Sequence, residues 1–152
     1  MNMKKVSVAI AAYNEEGNLD RCLASVADWV DELVIVDGGS TDKTVEVARR
    51  YGARIIETDN PAIFHINKQK AVDACTGDWI LQLDTDELVS SDLRKEITDT
   101  ISSKHSRTGY YIPRKNYLLN HWLRKGGQYP DYVIRFFRRG KGRFPCKSVH
   151  EQ

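Results

Sequence analysis

The sequence predicts an α/β fold, a Rossmann-like and mostly parallel sheet with helices on both faces. The first hundred residues alternate short, β-branched apolar runs with amphipathic segments. Each apolar run is too short for a helix and reads as a strand buried on both faces. The chain of 152 residues is 41% hydrophobic and 29% charged, which fits a single globular domain over residues 1–152.

Four strands and four helices are predicted in the first two thirds of the chain. The strands are 6–12, 32–37, 53–58 and 78–84. The first helix opens at Asn18 and covers 19–30, and the second covers 42–52 after a cap by Ser40 or Thr41. The third covers 62–75, and the fourth runs from a cap at Ser90 or Ser91 to about Ser102.

After residue 104 the pattern changes to aromatic and charged residues in alternation. GYYIPRKNYLL (109–119) and DYVIRFFRR (131–139) are typical of antiparallel strands. Glycine and proline separate them. We therefore expect residues 104–152 to form a small β-rich continuation of the sheet and not an independent domain.

Composition excludes several classes of protein. No run of about 18 apolar residues is present, which argues against a membrane span. The N-terminal apolar run is too short for a signal peptide, so a cytoplasmic location is expected. Cys22, Cys75 and Cys146 lie far apart in the sequence, which favours plain thiols over zinc ligands or disulfides. Neither a GxGxxG nor a GxxxxGK[ST] motif occurs.

Charge is divided unevenly along the chain. Residues 1–103 hold 11 Lys and Arg against 19 Asp and Glu, whereas residues 104–152 hold 12 against 2. A chance surface asymmetry and a basic lobe facing an anionic ligand or a membrane surface are both open interpretations.

The strongest chemical signal follows the fourth predicted strand. Asp84, Thr85 and Asp86 form a DxD segment, and strand periodicity would turn both carboxylates to one side. Such carboxylates repel unless a cation joins them, and Mg²⁺ or Mn²⁺ suits oxygen ligands. A polar turn in which Asp86 or Glu87 caps the next helix is the alternative. The position at a strand's carboxyl end, where parallel sheets bind ligands, favours the metal.

Two other loops follow strands at the same predicted edge. Ala12, Tyr13, Asn14 and Glu15 follow the first strand; the Tyr13 ring suits stacking on a base, and the next two residues suit hydrogen bonding. Asp37 and Gly38 follow the second strand, where a carboxylate and a close backbone approach suit a nucleotide. Ordinary loops with a helix cap remain the alternative.

Together the three segments resemble the family 2 glycosyltransferases, whose fold is called GT-A. The resemblance implies that Tyr13, Asn14, Glu15 and Asp37 hold the nucleotide and that Asp84 and Asp86 hold the metal. The chain departs from the usual family pattern at Ala11 and Gly38. Lys68, Gln69 and Lys70 match a basic, Asn-containing family segment with Gln69 in place of the Asn, and the two lysines are candidates for contacting the diphosphate or for lying on an exposed helix face.

The last third is similar to the subgroup that includes glucosyltransferases of lipopolysaccharide inner-core assembly. The matching residues are the segment from Gly127 to Arg138 and the run Val149-His150-Glu151. The resemblance implies His150 as a further ligand of the metal or diphosphate and Glu151 as the catalytic base. A frayed terminus is the alternative, and since subgroup members usually continue further, a truncated or multi-part protein is also open.

The function expected from this resemblance is inverting transfer of a sugar to an acceptor hydroxyl, with Mn²⁺ or Mg²⁺ as cofactor. Residues 1–103 would bind a UDP-sugar, with glucose as the expected sugar, and residues 104–152 would form the acceptor side. The expected acceptor is a carbohydrate or glycolipid of the cell envelope, with contact to the inner face of the membrane as an option and no nucleic acid partner. Transfer to a polyprenyl phosphate and a non-catalytic nucleotide-sugar-binding fragment are the alternatives.

Overall fold

A six-stranded sheet with helices on both faces organises the molecule, as a computed structural model shows. The structure describes residues 3–61, 63–104, 107–118, 121–123 and 131–144. The strand order is β3-β2-β1-β4-β8-β5, and a separate two-stranded ribbon pairs β6 with β7. The four strands β3, β2, β1 and β4 are parallel, whereas β8 runs antiparallel to β4 and to β5. The predicted α/β class with a mostly parallel sheet is confirmed.

The strands of the parallel part lie close to their predicted positions. They are β1 (Val6–Ala12), β2 (Glu32–Asp37), β3 (Arg54–Glu57) and β4 (Trp79–Gln82). β1 and β2 match the predicted bounds, because both are continuous apolar runs that the sheet buries. β4 ends at Gln82, two residues before the predicted end, which changes how the acidic residues after it are presented.

The helices are α1 (Glu16–Ala24), α2 (Thr44–Arg50), α3 (His65–Ala74) and α4 (Ser91–Ser102). The predicted cap of α4 is correct, because the Ser90 hydroxyl accepts a bond from the Leu93 amide at 3.1 Å. The predictions for α1 and α2 were wrong in detail. α1 begins before Asn18 and ends at Ala24, and α2 begins at Thr44.

The C-terminal third contributes β5 (Gly109–Arg114), β6 (Tyr117–Leu118), β7 (His121–Trp122) and β8 (Asp131–Arg138). The predicted strand 109–119 is broken into β5 and β6, and its last residue lies outside the described part. Because β8 pairs with β4, this region extends the same sheet. It is the β-rich continuation that the sequence predicted.

The core has two layers, one on each face of the sheet. One face packs under α1, α2 and α4 through residues that include Ile10, Leu23 and Phe136. The other packs under α3 through a smaller set that includes Val36, Val72 and Phe137. In the described part of the chain no helix is long and apolar enough to cross a membrane.

Candidate active site

The carboxyl ends of β1, β2 and β4 meet at one edge of the sheet, and the backbone ties the loops after β1 and β2 together. The Gly38 amide donates to the Ala12 carbonyl at 2.9 Å. Asn14 adopts a left-handed backbone (φ 51°), and its side-chain oxygen accepts from the Thr41 amide at 2.8 Å. The Ser40 hydroxyl in turn accepts from the Asn14 amide at 2.8 Å. Asn14 therefore joins the two loops, while the Tyr13 ring beside it is exposed.

Asp37 lies at the end of β2 with its carboxylate turned back on its own loop. Its oxygens accept from the Gly39 amide at 3.1 Å and from the Ser40 amide and hydroxyl at 3.0 and 2.6 Å. The residue is 2% exposed. Gly38 passes so close to Asn60 that a Cβ there would lie 3.2 Å from the Asn60 Cβ. The sequence predicted that the backbone at this glycine could come close to a ligand. In the structure its close neighbour is Asn60.

The acidic segment after β4 forms a turn and does not continue the strand. The Glu87 amide donates to the Asp84 carbonyl at 3.0 Å, and the Asp84 amide donates to the Glu87 carboxylate at 2.7 Å. The prediction that strand periodicity aligns Asp84 with Asp86 was wrong, because the strand has already ended. Asp84 is partly buried, Thr85 is buried and Asp86 is exposed.

Two cations neutralise Asp84. Lys68 Nζ lies 2.6 Å from Oδ1, and Arg135 Nη2 lies 3.0 Å from Oδ2. Burial opposes ionisation of Asp84, but Arg135 and then Lys68 outweigh it and lower its pKa below the ordinary value. Glu87 differs: its burial raises its pKa although Arg135 acts in the opposite direction. Asp84 is thus held ionised at the edge where the three loops meet.

The negative charge of this segment also affects the pKa of the neighbouring Cys22 thiol. Burial raises the pKa of its thiol to about 12, and Glu87, Asp84 and Asp86 add to the rise. All three carboxylates therefore oppose ionisation of this buried thiol, although they are not aligned on a strand. A thiol in this state is an inert packing group, as the sequence predicted.

The two candidate lysines of α3 have different surroundings. Lys68 lies over the Phe64 ring, 4.8 Å from its centroid, with its ammonium on Asp84. Lys70 donates instead to the Thr58 hydroxyl at 3.1 Å, at an exposed position. Gln69 accepts from the Phe144 amide at 2.7 Å and so holds the segment after β8 against α3. Of the two lysines, the structure brings Lys68 alone to Asp84.

The donors at this edge suit a hard divalent cation. Within the described ranges, no three His, Cys, Asp or Glu side chains are grouped as a ready-made metal site. Asp86 is exposed, but Lys68 and Arg135 occupy both oxygens of Asp84. Mg²⁺ commonly binds through one or two carboxylates plus substrate phosphates and water. The carboxylates therefore fit such an ion provided that the Lys68 ammonium moves aside and a phosphate completes the ligand shell.

Two residues of this site, Arg135 and Gln82, were not predicted from the sequence. Arg135 on β8 contacts Asp84 and Glu87, and Gln82 donates to Asp84 Oδ1 at 3.3 Å while accepting from Arg135. An arginine within the apolar run of β8 was the signal that could have identified the first. His150 and Glu151 lie outside the described residues, so their roles stay predictions.

Comparison with known proteins identifies the family. The model of the family described as glycosyl transferase family 2 matches residues 7–148. The lipopolysaccharide core biosynthesis glycosyltransferase LpsC of Rhizobium meliloti is 31% identical over 96% of this chain and 56% of its own length. An uncharacterized glycosyltransferase of Rickettsia typhi is 36% identical over 71% of this chain and 36% of its own.

Solved structures support the same fold. The crystal structure of residues 1–349 of S. aureus TarS superposes with a TM-score of 0.60 at 19% identity and covers 89% of this chain and 47% of that one. This likeness supports the predicted GT-A fold. The chain spans between about a fifth and just over half of the length of curated relatives that it matches. The family model covers most of the sequence, and the chain therefore belongs to glycosyl transferase family 2.

Proposed function

We propose that this chain binds a nucleoside diphosphate sugar at the carboxyl ends of β1, β2 and β4 and transfers the sugar, with inversion, to an acceptor hydroxyl. The observation that carries the proposal is Asp84, ionised and held by Lys68 and Arg135 at the edge where the loops after β1 and β2 meet. Membership of the family gives the reaction class. Parallel sheets bind ligands at this edge.

The nucleotide lies along the first two loops in this proposal. The exposed Tyr13 ring offers a face for the base. Asp37, whose carboxylate is bonded to its own loop, would have to turn one oxygen outward to accept from a base N–H. Glu15 accepts from Asn18 at 2.9 Å, which places its carboxylate beside the start of α1 for contact with the ribose. Asn14, Ala12 and Gly38 act mainly through the backbone, because their contacts fix the two loops to each other.

The diphosphate lies at Lys68 and the turn after β4. The Lys68 ammonium sits on a flexible four-carbon stem and would turn from Asp84 to a phosphate oxygen. Lys70 lies on Thr58 and reaches the phosphates only from the exposed side of α3. Asp84 and Asp86, with Thr85 between them, would hold Mn²⁺ or Mg²⁺, which neutralises charge on the departing diphosphate when bound. His150 is proposed as a further ligand.

The transfer needs one base and no covalent intermediate. The acceptor oxygen attacks the anomeric carbon from the face opposite the diphosphate, the bond to the diphosphate breaks, and the hydroxyl proton passes to the base. Glu151 is proposed as that base. Glu87 is a poorer candidate, because its carboxylate accepts from the Asp84 amide and pairs with Arg135 at 3.4 Å.

The proposed donor is UDP-glucose and the proposed acceptor a carbohydrate or glycolipid in cell-envelope assembly. The support for the acceptor class is the similarity over 96% of the chain to LpsC, a lipopolysaccharide core biosynthesis glycosyltransferase. TarS, whose fold the chain shares, has been solved in complex with UDP, which makes UDP the first nucleotide to test. Contact with the membrane through basic residues of the last third also belongs to this proposal.

Calorimetry with UDP, with and without MnCl₂, tests the donor site. Wild type should bind UDP more tightly with manganese, and Asp86→Ala should lose that gain. Asp37→Ala should weaken binding under both conditions by about tenfold, which corresponds to a lost hydrogen bond of roughly 1–3 kcal/mol. Asp28→Ala, which removes an exposed carboxylate outside the site, is the control. A folded wild-type chain that binds no UDP with manganese would refute the proposal.

A further inference from the structure

Arg135 occupies an irregular position in the sheet. The register between β5 and β8 pairs Tyr110 with Phe136 and Tyr111 with Ile134, so that Arg135 is the extra residue of a β-bulge. Bulges are common beside active sites, where they redirect a side chain. Here the bulge lies in the strand next to β4, and the guanidinium reaches across to the turn that follows β4.

The guanidinium contacts three groups that belong to that turn or to the strand before it. It donates to the Gln82 side-chain oxygen, it lies 3.0 Å from Asp84 Oδ2, and it lies 3.4 Å from Glu87 Oε1. Gln82 donates in turn to Asp84. Asp84 and Glu87 are the first and last residues of the turn, so Arg135 is bonded to both of its ends.

Stability alone explains this arrangement poorly. Arg135 is 8% exposed, and its Nε is buried without a hydrogen-bond partner. A buried charge with one unsatisfied donor costs free energy, and an apolar side chain in such a place is often neutral or stabilising. What the arginine supplies is geometry, because Nη1 of its planar fork bonds Gln82 while Nη2 contacts two carboxylates that would otherwise repel each other.

We propose that Arg135 is a positioning residue that holds the Asp84–Glu87 turn in the conformation needed to bind the metal and diphosphate together. The inference rests on the proposed donor site and adds to it a residue from β8. Arg135 acts through the turn and does not itself touch the donor. The nucleotide loops after β1 and β2 are not bonded to it, so its loss should affect the metal-dependent part of binding and leave the rest.

The test separates those two parts of binding in Arg135→Met and Arg135→Lys. UDP affinity is measured by calorimetry without metal and with saturating MnCl₂, and the ratio of the two is the manganese gain. Without metal, both variants should bind UDP within about twofold of wild type. With metal, the gain should fall at least tenfold in Arg135→Met and less in Arg135→Lys, which keeps the charge but loses the fork.

Arg139→Met is the matched control, since it makes the same change at an exposed arginine just beyond β8. It should keep the full manganese gain. A purely structural role for Arg135 would lower thermal stability and both affinities together, and an undiminished gain in folded Arg135→Met would overturn the inference. If that variant does not fold, a wild-type gain in Arg135→Lys overturns it equally.

The wild-type chain distinguishes this inference from the proposed function. If wild type itself shows no manganese gain, the metal part of the donor site is wrong and the inference falls with it. If wild type shows the gain and Arg135→Met keeps it, the donor site stands and only the role of Arg135 is wrong.

Discussion

Replacing Asp84 with asparagine removes one charge from the centre of the site and tests whether its ion pairs stabilise the fold. Asparagine keeps the size but replaces one acceptor oxygen with an NH₂ donor, so the change removes the charge and one of the two acceptors that Lys68 and Arg135 use. The side chains of Lys68 and Arg135 are only 12% and 10% exposed, and both would lose their main counter-charge. We therefore expect Asp84→Asn to destabilise the chain.

The magnitude follows from the burial of the three charges. Removing one partner of a buried ion pair costs about 3–5 kcal/mol. The Asp84 side chain is 29% exposed and Glu87 stays beside Arg135, so the lower end applies, about 3 kcal/mol. For a chain of this size that loss lowers Tm by about 6–12 °C.

Urea unfolding followed by circular dichroism measures the loss, with Asp28→Asn as the matched control. Asp28 pairs with Arg94 at 3.1 Å, but the two side chains are 67% and 46% exposed. Solvent screens such a pair, and the control should lose at most about 0.5 kcal/mol. Equal losses in the two variants would refute the argument that the Asp84 pairs differ from surface pairs.

The difference between wild type and Asp84→Asn should also depend on pH. The pKa of Asp84 is lowered in the folded chain, so its contribution is complete above the ordinary value of about 3.9 and is lost as the pH falls through the folded value. The difference should therefore shrink from about pH 5 downward and should continue to shrink below about pH 3.9, as the pH falls through the lowered folded value. Glu87, whose raised pKa acts in the opposite direction, is present in both proteins and largely cancels.

Two further pairs of variants test backbone positions by urea unfolding, one at the site and one elsewhere in the fold. Asn14→Ala loses the bond from the Thr41 amide and places alanine at φ 51°, for a loss of roughly 2 kcal/mol, whereas Asn14→Gly should lose about half of that. Equal losses would show that the φ angle costs nothing. Gly77→Ala places a Cβ 2.6 Å from the Ser7 hydroxyl and should lose about 1–3 kcal/mol, while Gly17→Ala in α1 meets open space and should gain up to about 1 kcal/mol. A stable Gly77→Ala would contradict the close contact.

The parts of the fold that the sequence predicted well are those that local patterns determine. β1 and β2 lie at the predicted residues, because continuous β-branched runs are buried wherever the sheet places them. The Ser90 cap is a bond between residues three apart. Such features depend only on residues that are close together in the sequence.

The start of α1 could not be predicted from its own residues. The Asn18 cap failed because side chains at the start of α2 and just before it bond the amides at the start of α1. The Thr44 hydroxyl accepts from the Glu15 amide at 2.9 Å, and Asp42 accepts from the Glu16 amide at 3.3 Å. Local capping rules assume a partner within the helix's own sequence. Here tertiary contacts satisfy those groups, so the helix starts earlier.

The position of the acidic segment after β4 was predicted correctly, but its conformation was not. That Asp84 lies at the edge where ligands bind follows from strand order alone. The ion pair between Asp84 and Arg135 joins residues 51 positions apart and depends on a bulge in β8. The sequence does not indicate which strands β8 pairs with. The polar turn of the alternative interpretation is present, but the next helix is capped by Ser90 and not by Asp86 or Glu87. The structure thus combines a polar turn with the charged surroundings expected of a ligand site.

The uneven charge of the chain also has a more specific explanation than either first interpretation. The acidic residues 1–103 include Asp84 and Glu87, and the basic residues 104–152 include Arg135, which pairs with both. Arg114, also from the basic part, acts to lower the pKa of Glu87. Some of the charge difference is therefore paired inside the fold. Arg139, just beyond β8, lies elsewhere: its amide donates to the Asp78 carbonyl before the start of β4, the opposite end of that strand from Asp84. An anionic surface bound by Arg139 would therefore meet the molecule away from Asp84. The residue of β8 that contacts the acidic turn is the bulged Arg135.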